Sequence, residues 1–280
     1  MRPAFDTYGT KLTEEVKIMA EDSLTRWHTC RNVSWMLNRL LPGPRERRRR
    51  VLIACAFCRR LWHLLETPAG VRARQVVEGA ERWACGVQDA ASVHQLTRAT
   101  RQAEGLDKPV PQEGGGRRRR APRGPVRTPD YWAVRAALAV FDHPDDTPER
   151  VAWMARQAVR ASLEVGRNIR GRRDEARASP QDATDEAECQ CDLIRDVVCP
   201  PLGRELDPAD HWLRWDNGTV PMVAKVIALE RKWADLPILA DALQDAGCRD
   251  EAYLAHCRHP GPHTVGCWLI DLLTNDMGMR

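Results

Sequence analysis

The chain has 280 residues, 43% of them apolar and 29% charged, so it can bury a sizeable core as one large domain or two small ones. Its formal net charge of +4 is modest, and no apolar run approaches the roughly eighteen residues of a membrane span. Met1 to Ala20 carries acids and no continuous apolar stretch, which argues against a secretory signal. The expectation is a cytoplasmic protein whose ten Cys are reduced thiols, core fillers or metal ligands.

In chain order the pattern is helical throughout, and no period-2 strand run bounded by turns is found. Short helices are expected over Lys11 to Ser23 and Val33 to Leu41, separated by "RWHTCRN". After Pro44, the residues Val51, Ala54, Cys55, Cys58, Leu61, Trp62 and Leu65 recur at spacings of three and four and define one apolar face. A companion helix from about Val71 to Cys85 is closed by Gly86. Residues 104–129, "EGLDKPVPQEGGGRRRRAPRGPVRTP", are too poor in apolar side chains to offset the entropy of ordering and read as a flexible basic linker. That divides the chain into an N-terminal helical part (1–103) and a C-terminal helical part (130–280), which can also pack as one domain.

Beyond the linker, helices are expected from Pro129 to Phe141 and from Thr147, with Pro148 at its first position, to about Arg170. "SPQD" at Ser179 to Asp182 starts a helix carrying Cys189, Leu193, Ile194, Val197 and Val198. An irregular piece follows, in which Trp212 and Trp215 pin the loop onto the core. The last helices are Val220 to Trp233, Pro237 to Ala246, Asp250 to Cys257 and Val265 to Leu273. The fold class is therefore mainly α, a multi-helix bundle or irregular helical array.

The blocks "RRRVLIACAFCRRLWHLL", "RARQVVEGAERWACG", "CDLIRDVVCPP", "DLPILADALQDAGC" and "LAHCRHPGPHTVGCWLIDLL" come in an order that resembles a family of uncharacterised planctomycete (Gemmata-type) proteins. The resemblance covers about residues 23 to 86 and 189 to 273. It implies no activity, cofactor or catalytic residue that can be carried over.

The chemistry must then be sought in the residues themselves. "CAFC" at Cys55 and Cys58 is a C-x2-C, but it lies within a helix with both sulfurs on the apolar face, so the core reading is preferred to a metal knuckle completed by His63 or Cys85. Cys189 and Cys191 in "CQC" diverge by roughly 200° on a helix. The stretch from Cys248 to Cys267 is denser: Cys248, His256, Cys257, His259, His263 and Cys267 are six zinc-type ligands within twenty residues, yet their spacing matches no closed zinc motif. His256 and Cys257 are adjacent and cannot both point inward. A nucleophile reading gives Cys267, after Gly266 and in a first helical turn, a lowered thiol pKa, with His263 or His256 as base and Asp271 or Asp276 to orient it. The plainest reading makes "RHPGPHTVG" a Pro-stiffened corner whose imidazoles bond helix-end carbonyls.

Only five of the 43 basic residues are Lys. Two Arg clusters stand out, Arg45, Arg47, Arg48, Arg49 and Arg50, and Arg117, Arg118, Arg119, Arg120 and Arg123, and these are the candidates for contact with nucleic acid or an acidic partner. The expected role is a non-enzymatic helical interaction module, an accessory or scaffold subunit binding another protein in a larger complex, with no membrane partner. The alternatives are a nucleic-acid-binding accessory protein using the Arg-rich segments, and a zinc-containing or cysteine-dependent enzyme centred on residues 248–267.

Overall fold

The computed structural model of the chain describes residues 25–38, 44–105, 128–141, 150–154, 156, 180–198 and 208–274. Among these residues every regular element is a helix and there is no strand, so the protein is mainly α. The helices are α1 (25–29), α2 (Val33–Leu37), α3 (Pro44–Arg60), α4 (Pro68–Ala84), α5 (Ala90–Ala103), α6 (Pro129–Ala139), α7 (150–154), α8 (Pro180–Val197), α9 (Asp210–Arg214), α10 (Thr219–Glu230), α11 (Leu236–Asp245), α12 (Glu251–Arg258) and α13 (Trp268–Leu273). No helix among the described residues is long and apolar enough to cross a membrane. Most of the basic linker, the expected helix over Lys11 to Ser23 and much of the stretch from Thr147 to Arg170 lie outside the described residues.

The chain divides into two compact units, one combining residues 1–49 with 188–280 and the other spanning 50–187, with the boundaries falling inside α3 and α8. In the second unit α3 is buried on every side from Val51 to Cys58 rather than along the one expected face, with Leu52, Ile53, Cys55, Phe57 and Cys58 at most 1% exposed, while Trp62 of that face, beyond the helix, is only partly buried. The two Cys of "CAFC" are therefore core, and burial, followed by the Glu81 charge, drives the Cys58 thiol far above its ordinary range. Pro68 opens α4 at its first turn, with the Thr67 hydroxyl accepting from the Gly70 N–H at 3.1 Å. The helix thus starts at Pro68, three residues before the expected Val71. The sequence reading passed over α5, whose N-cap Asp89 accepts from the Ser92 N–H at 2.9 Å and buries Val93, Thr97 and Thr100. Two acidic side chains sit in this apolar setting. Glu81 receives Arg59 through Nε (2.8 Å) and Nη2 (2.5 Å), and Glu186 receives Arg60 through Nε (3.0 Å) and Nη2 (2.8 Å). The Arg59 guanidinium also lies 4.0 Å from the centre of the Trp62 ring.

The first unit is built around α10 to α13. Val220, Ala224, Ile227, Leu236, Leu239, Leu243, Tyr253, Leu254, Leu269 and Ile270 form its core, and Trp212 and Trp215 pack against it as partly buried side chains. The Trp212 ring meets Tyr253 edge-on at 5.5 Å, the pinning role expected of that loop. Cys248 and Cys257 are enclosed in the same core. Burial pushes the Cys257 thiol up to about 12 and raises that of Cys248, so both are packing material under ordinary conditions.

Candidate metal centre

Helix α12 starts at the Asp250 cap, whose carboxylate accepts from the Ala252 N–H at 3.0 Å, and this phase decides which side chains face where. Cys257 turns into the core, while His256, one residue earlier, turns to a different side and is 15% exposed in its side chain. The chain then passes the Pro-stiffened corner. His259 Nδ1 accepts from the Gly261 N–H at 2.9 Å, and the Cys267 N–H closes on Thr264 O at 3.1 Å. Gly266 takes φ +90°, a left-handed conformation that a side chain would resist, and so delivers Cys267 to the cap of α13.

His256, His263 and Cys267 meet a fourth group, Asp196, near the end of α8. One donor atom from each of the four lies within 4.8 Å of the other three, and the set can hold a metal ion. His256 Nε2 is 3.1 Å from Cys267 Sγ and 3.4 Å from Asp196 Oδ1, and His263 Nδ1 is 2.6 Å from the same oxygen. The outer sides are held as well. Asp196 Oδ2 accepts from the Thr264 N–H at 2.8 Å, and His263 Nε2 bonds His259 O at 3.1 Å, at the carbonyl end of α12. One imidazole thus bonds a helix-end carbonyl, as the corner reading expects. Trp268 Nε1 donates to His256 Nδ1 at 3.2 Å.

Charge is confined here. Burial alone would raise the pKa of Asp196, but hydrogen bonds from His256 and His263, with their charges, hold it below 3.8. Burial alone would lower His263, yet the hydrogen bond and charge of Asp196 prevail and lift it above 6.5. Cys267, 1% exposed, goes well above 9.0 because burial comes first and the Asp196 carboxylate adds to it; the backbone N–H groups of Leu269 and Ile270 oppose this and lose. That corrects the expectation of a thiol activated at a helix start. Asp271, the other supposed orienter, instead accepts from Arg48 in an ion pair. Asp276 lies outside the described residues.

A comparison with family models, curated proteins and solved structures finds no match for this chain.

Of the six zinc-type residues in the C-terminal stretch, the fold joins His256, His263 and Cys267 and leaves Cys248, Cys257 and His259 out of the group. Asp196 escaped the sequence reading, although a signal was present. It stands three residues after Leu193 and seven after Cys189, hence on the apolar face of α8, and a carboxylate on such a face demands partners. Of the Arg candidates, Arg48 is already committed to Asp271, which removes it as a free phosphate contact. Arg47, Arg49 and Arg50 are half-buried, while the Arg45 side chain and Arg117, Arg118, Arg119, Arg120 and Arg123 lie outside the described residues.

Proposed function

We propose that the protein is a zinc-binding helical protein in which Asp196, His256, His263 and Cys267 hold one ion and tie α8 to the corner between α12 and α13. The observation that carries this reading is the convergence of four donor atoms within 4.8 Å. Thiolate, imidazole and carboxylate together suit zinc better than a hard cation, and tetrahedral bonds of about 2.0 to 2.3 Å place ligand atoms about 3.3 to 3.8 Å apart. The 3.1 and 3.4 Å separations at His256 are close to that, and the 2.6 Å His263–Asp196 hydrogen bond has to open by somewhat under an ångström. Four protein ligands make a closed, structural kind of site rather than one with a vacant position.

Loading requires protons to leave. His263 is ready for this, because its Nε2–H stays on His259 O while Nδ1 gives up its proton. His256 is not: its Nδ1 accepts from Trp268, so its proton sits on Nε2, and that hydrogen bond must break for Nε2 to become a ligand. Zinc uptake should therefore change the Trp268 environment. The test is titration of chelator-treated protein with Zn2+ and with Co2+. One equivalent should bind, with a sulfur-to-cobalt charge-transfer band that Cys267→Ser abolishes and a fluorescence change that Trp268→Phe abolishes. Purified protein free of zinc, together with a cobalt spectrum lacking the sulfur band, overturns the reading.

The interaction-module reading remains a second proposal, favoured by Met222, Val226 and Leu229 on one exposed face of α10 and by exposed Ile238 on α11. A spacing of i, i+4 and i+7 is how one helix meets another, and the occupant proposed is a helix of another protein. Leu229→Glu should then weaken retention of that partner in co-purification with the helical circular dichroism unchanged; equal retention by wild type and variant removes this face.

A further inference from the structure

A site closed by four protein ligands still has to be reached by its ion. Asp196 and Cys267 are at most 2% exposed, and the outer atoms of Asp196 and His263 are held by the Thr264 N–H and by His259 O. The two imidazoles are less covered, with 15% of the His256 side chain and 7% of the His263 side chain exposed. Within the first unit, a cavity of about 470 Å3 is lined by Asp196, His256 and His263, three of the four donor residues, and not by Cys267.

Helix geometry accounts for its walls. Ala252, Ala255 and His256 share one face of α12, with His259 at its cap, and Asp192, Arg195 and Asp196 share one face of α8, so the cavity is a gap between these two faces. Two of the α12 positions carry only a methyl group, which leaves the gap open. Arg195 fixes its α1 side, donating from Nε to Trp27 O at 3.0 Å and from Nη2 to Cys30 O. Glu251, Ala255 and His259 are exposed and form the side open to solvent, whereas Asp196 and Trp268 are buried and form the floor. The gap thus runs from solvent to the donor residues.

Its size and charge suit a metal cation. An ion with six waters, at about 30 Å3 each, takes up about 180 Å3 and fits inside. The lining carboxylates Asp192, Asp196 and Glu251 outnumber the lining guanidinium of Arg195, which favours entry of a cation. His256 must also break its bond to Trp268 before Nε2 can become a ligand, and both residues border the cavity, which gives that change room.

We infer that this cavity is the port of the metal site: the ion enters through it with part of its water shell, and a small bidentate chelator follows the same path to reach the bound ion. The inference rests on the zinc reading and adds to it that the ion is exchangeable by direct attack. The two donor atoms of the chelator bond the ion as wall ligands let go, the ion leaves as the chelate, and the freed protein ligands regain protons from solvent.

The test uses the full chain loaded with one equivalent of Co2+ and mixed with 1,10-phenanthroline, with decay of the sulfur-to-cobalt band as the readout. In wild type the release rate should rise in proportion to phenanthroline concentration. Ala255→Trp, which plugs the mouth from an exposed position, should slow release about tenfold and remove its dependence on chelator, since the gap must then open by fluctuation, while equilibrium affinity stays the same. Ala252→Leu, deeper in the gap, should act in the same direction. A wild-type rate independent of phenanthroline, or equal rates in wild type and both variants, overturns the port and leaves the metal site standing. A chain that forms no sulfur-to-cobalt band removes both.

Discussion

Both units close buried carboxylates with guanidinium groups, Asp271 with Arg48 in the first and Glu81 and Glu186 in the second, but the first unit also buries one against imidazoles and a thiol. In the second unit Glu81 and Glu186 each face a guanidinium, which stays charged at any ordinary pH and offers paired donors in a plane. In the first unit Asp196 faces two imidazoles and a thiol, none of which has to stay as it is. A carboxylate closed by Arg is a fixed joint. One closed by His and Cys is a joint whose protons can be exchanged for a metal ion, since each partner can lose a proton and turn a lone pair inward. The contrast lies in the partners, because Glu81, Glu186 and Asp196 are similarly buried at 2 to 4% exposure.

The largest expected effect comes from breaking a fixed joint. Glu81→Ala leaves the Arg59 guanidinium, about three-quarters covered, without its charge partner, and should cost about 3 kcal/mol in urea unfolding. The loss should be the same with chelator or zinc, and nearly flat between pH 5.5 and 8, because Arg59 does not titrate there. A cost below about 1 kcal/mol would mean that the stacking on Trp62, and not the ion pair, holds this side chain.

The exchangeable joint should behave in the opposite way. In metal-free protein His263 has a folded pKa raised above 6.5, so its stabilisation is complete below that value and is lost as pH rises through the folded pKa. Asp196, held below 3.8, contributes above 3.8 and loses its contribution as pH falls through its lowered pKa. The pair therefore contributes most between these limits, so in chelated protein the stability lost on His263→Gln should be larger at pH 5.5 than at pH 8, a comparison of two variants in which the opposing titration of His28, held below 6.5, cancels. Zinc should invert that order, since high pH removes the protons that compete for Cys267 and His263. The same order with and without zinc would put the ion elsewhere.

The helical class was legible because residue spacing is a local property: the apolar stretch of α3 from Val51 to Cys58 can be read without any partner in view, although its burial on every side cannot. The corner at Arg258 to Gly266 was legible because its Pro and Gly are local signals too. The donor group was only half legible. His256, His263 and Cys267 lie within one stretch of chain, but Asp196 comes from sixty residues earlier, and only tertiary packing brings α8 beside the corner. The lowered thiol pKa failed on a matter of scale: a six-residue helix supplies a weak field, and full burial beside a carboxylate outweighs it. Helix α5 was missed because its apolar stripe is thin, with Thr97 and Thr100 taking positions where Leu or Ile would have signalled burial.

That thin stripe leads to the smallest of the expected effects. The hydroxyls of Thr97 and Thr100 turn back to Val93 O at 2.8 Å and Leu96 O at 2.9 Å, so α5 buries them without orphaned polar atoms but gains little apolar area. Its start should then matter more than in a richly apolar helix. Asp89 holds Ser92 twice, N–H to Oδ1 at 2.9 Å and Oγ–H to Oδ2 at 2.6 Å, and these bonds keep its pKa below 3.8. Asp89→Ala should destabilise α5 measurably, and Asp89→Asn less, because the amide oxygen still accepts from the Ser92 N–H. Since the folded pKa is depressed, the difference between wild type and Asp89→Ala should persist above 3.8 and shrink as pH falls through the lowered value. Unlike the Asp196 joint, this exposed cap should respond to neither chelator nor zinc, and sensitivity to either would show that the two units do not keep their carboxylate chemistry apart.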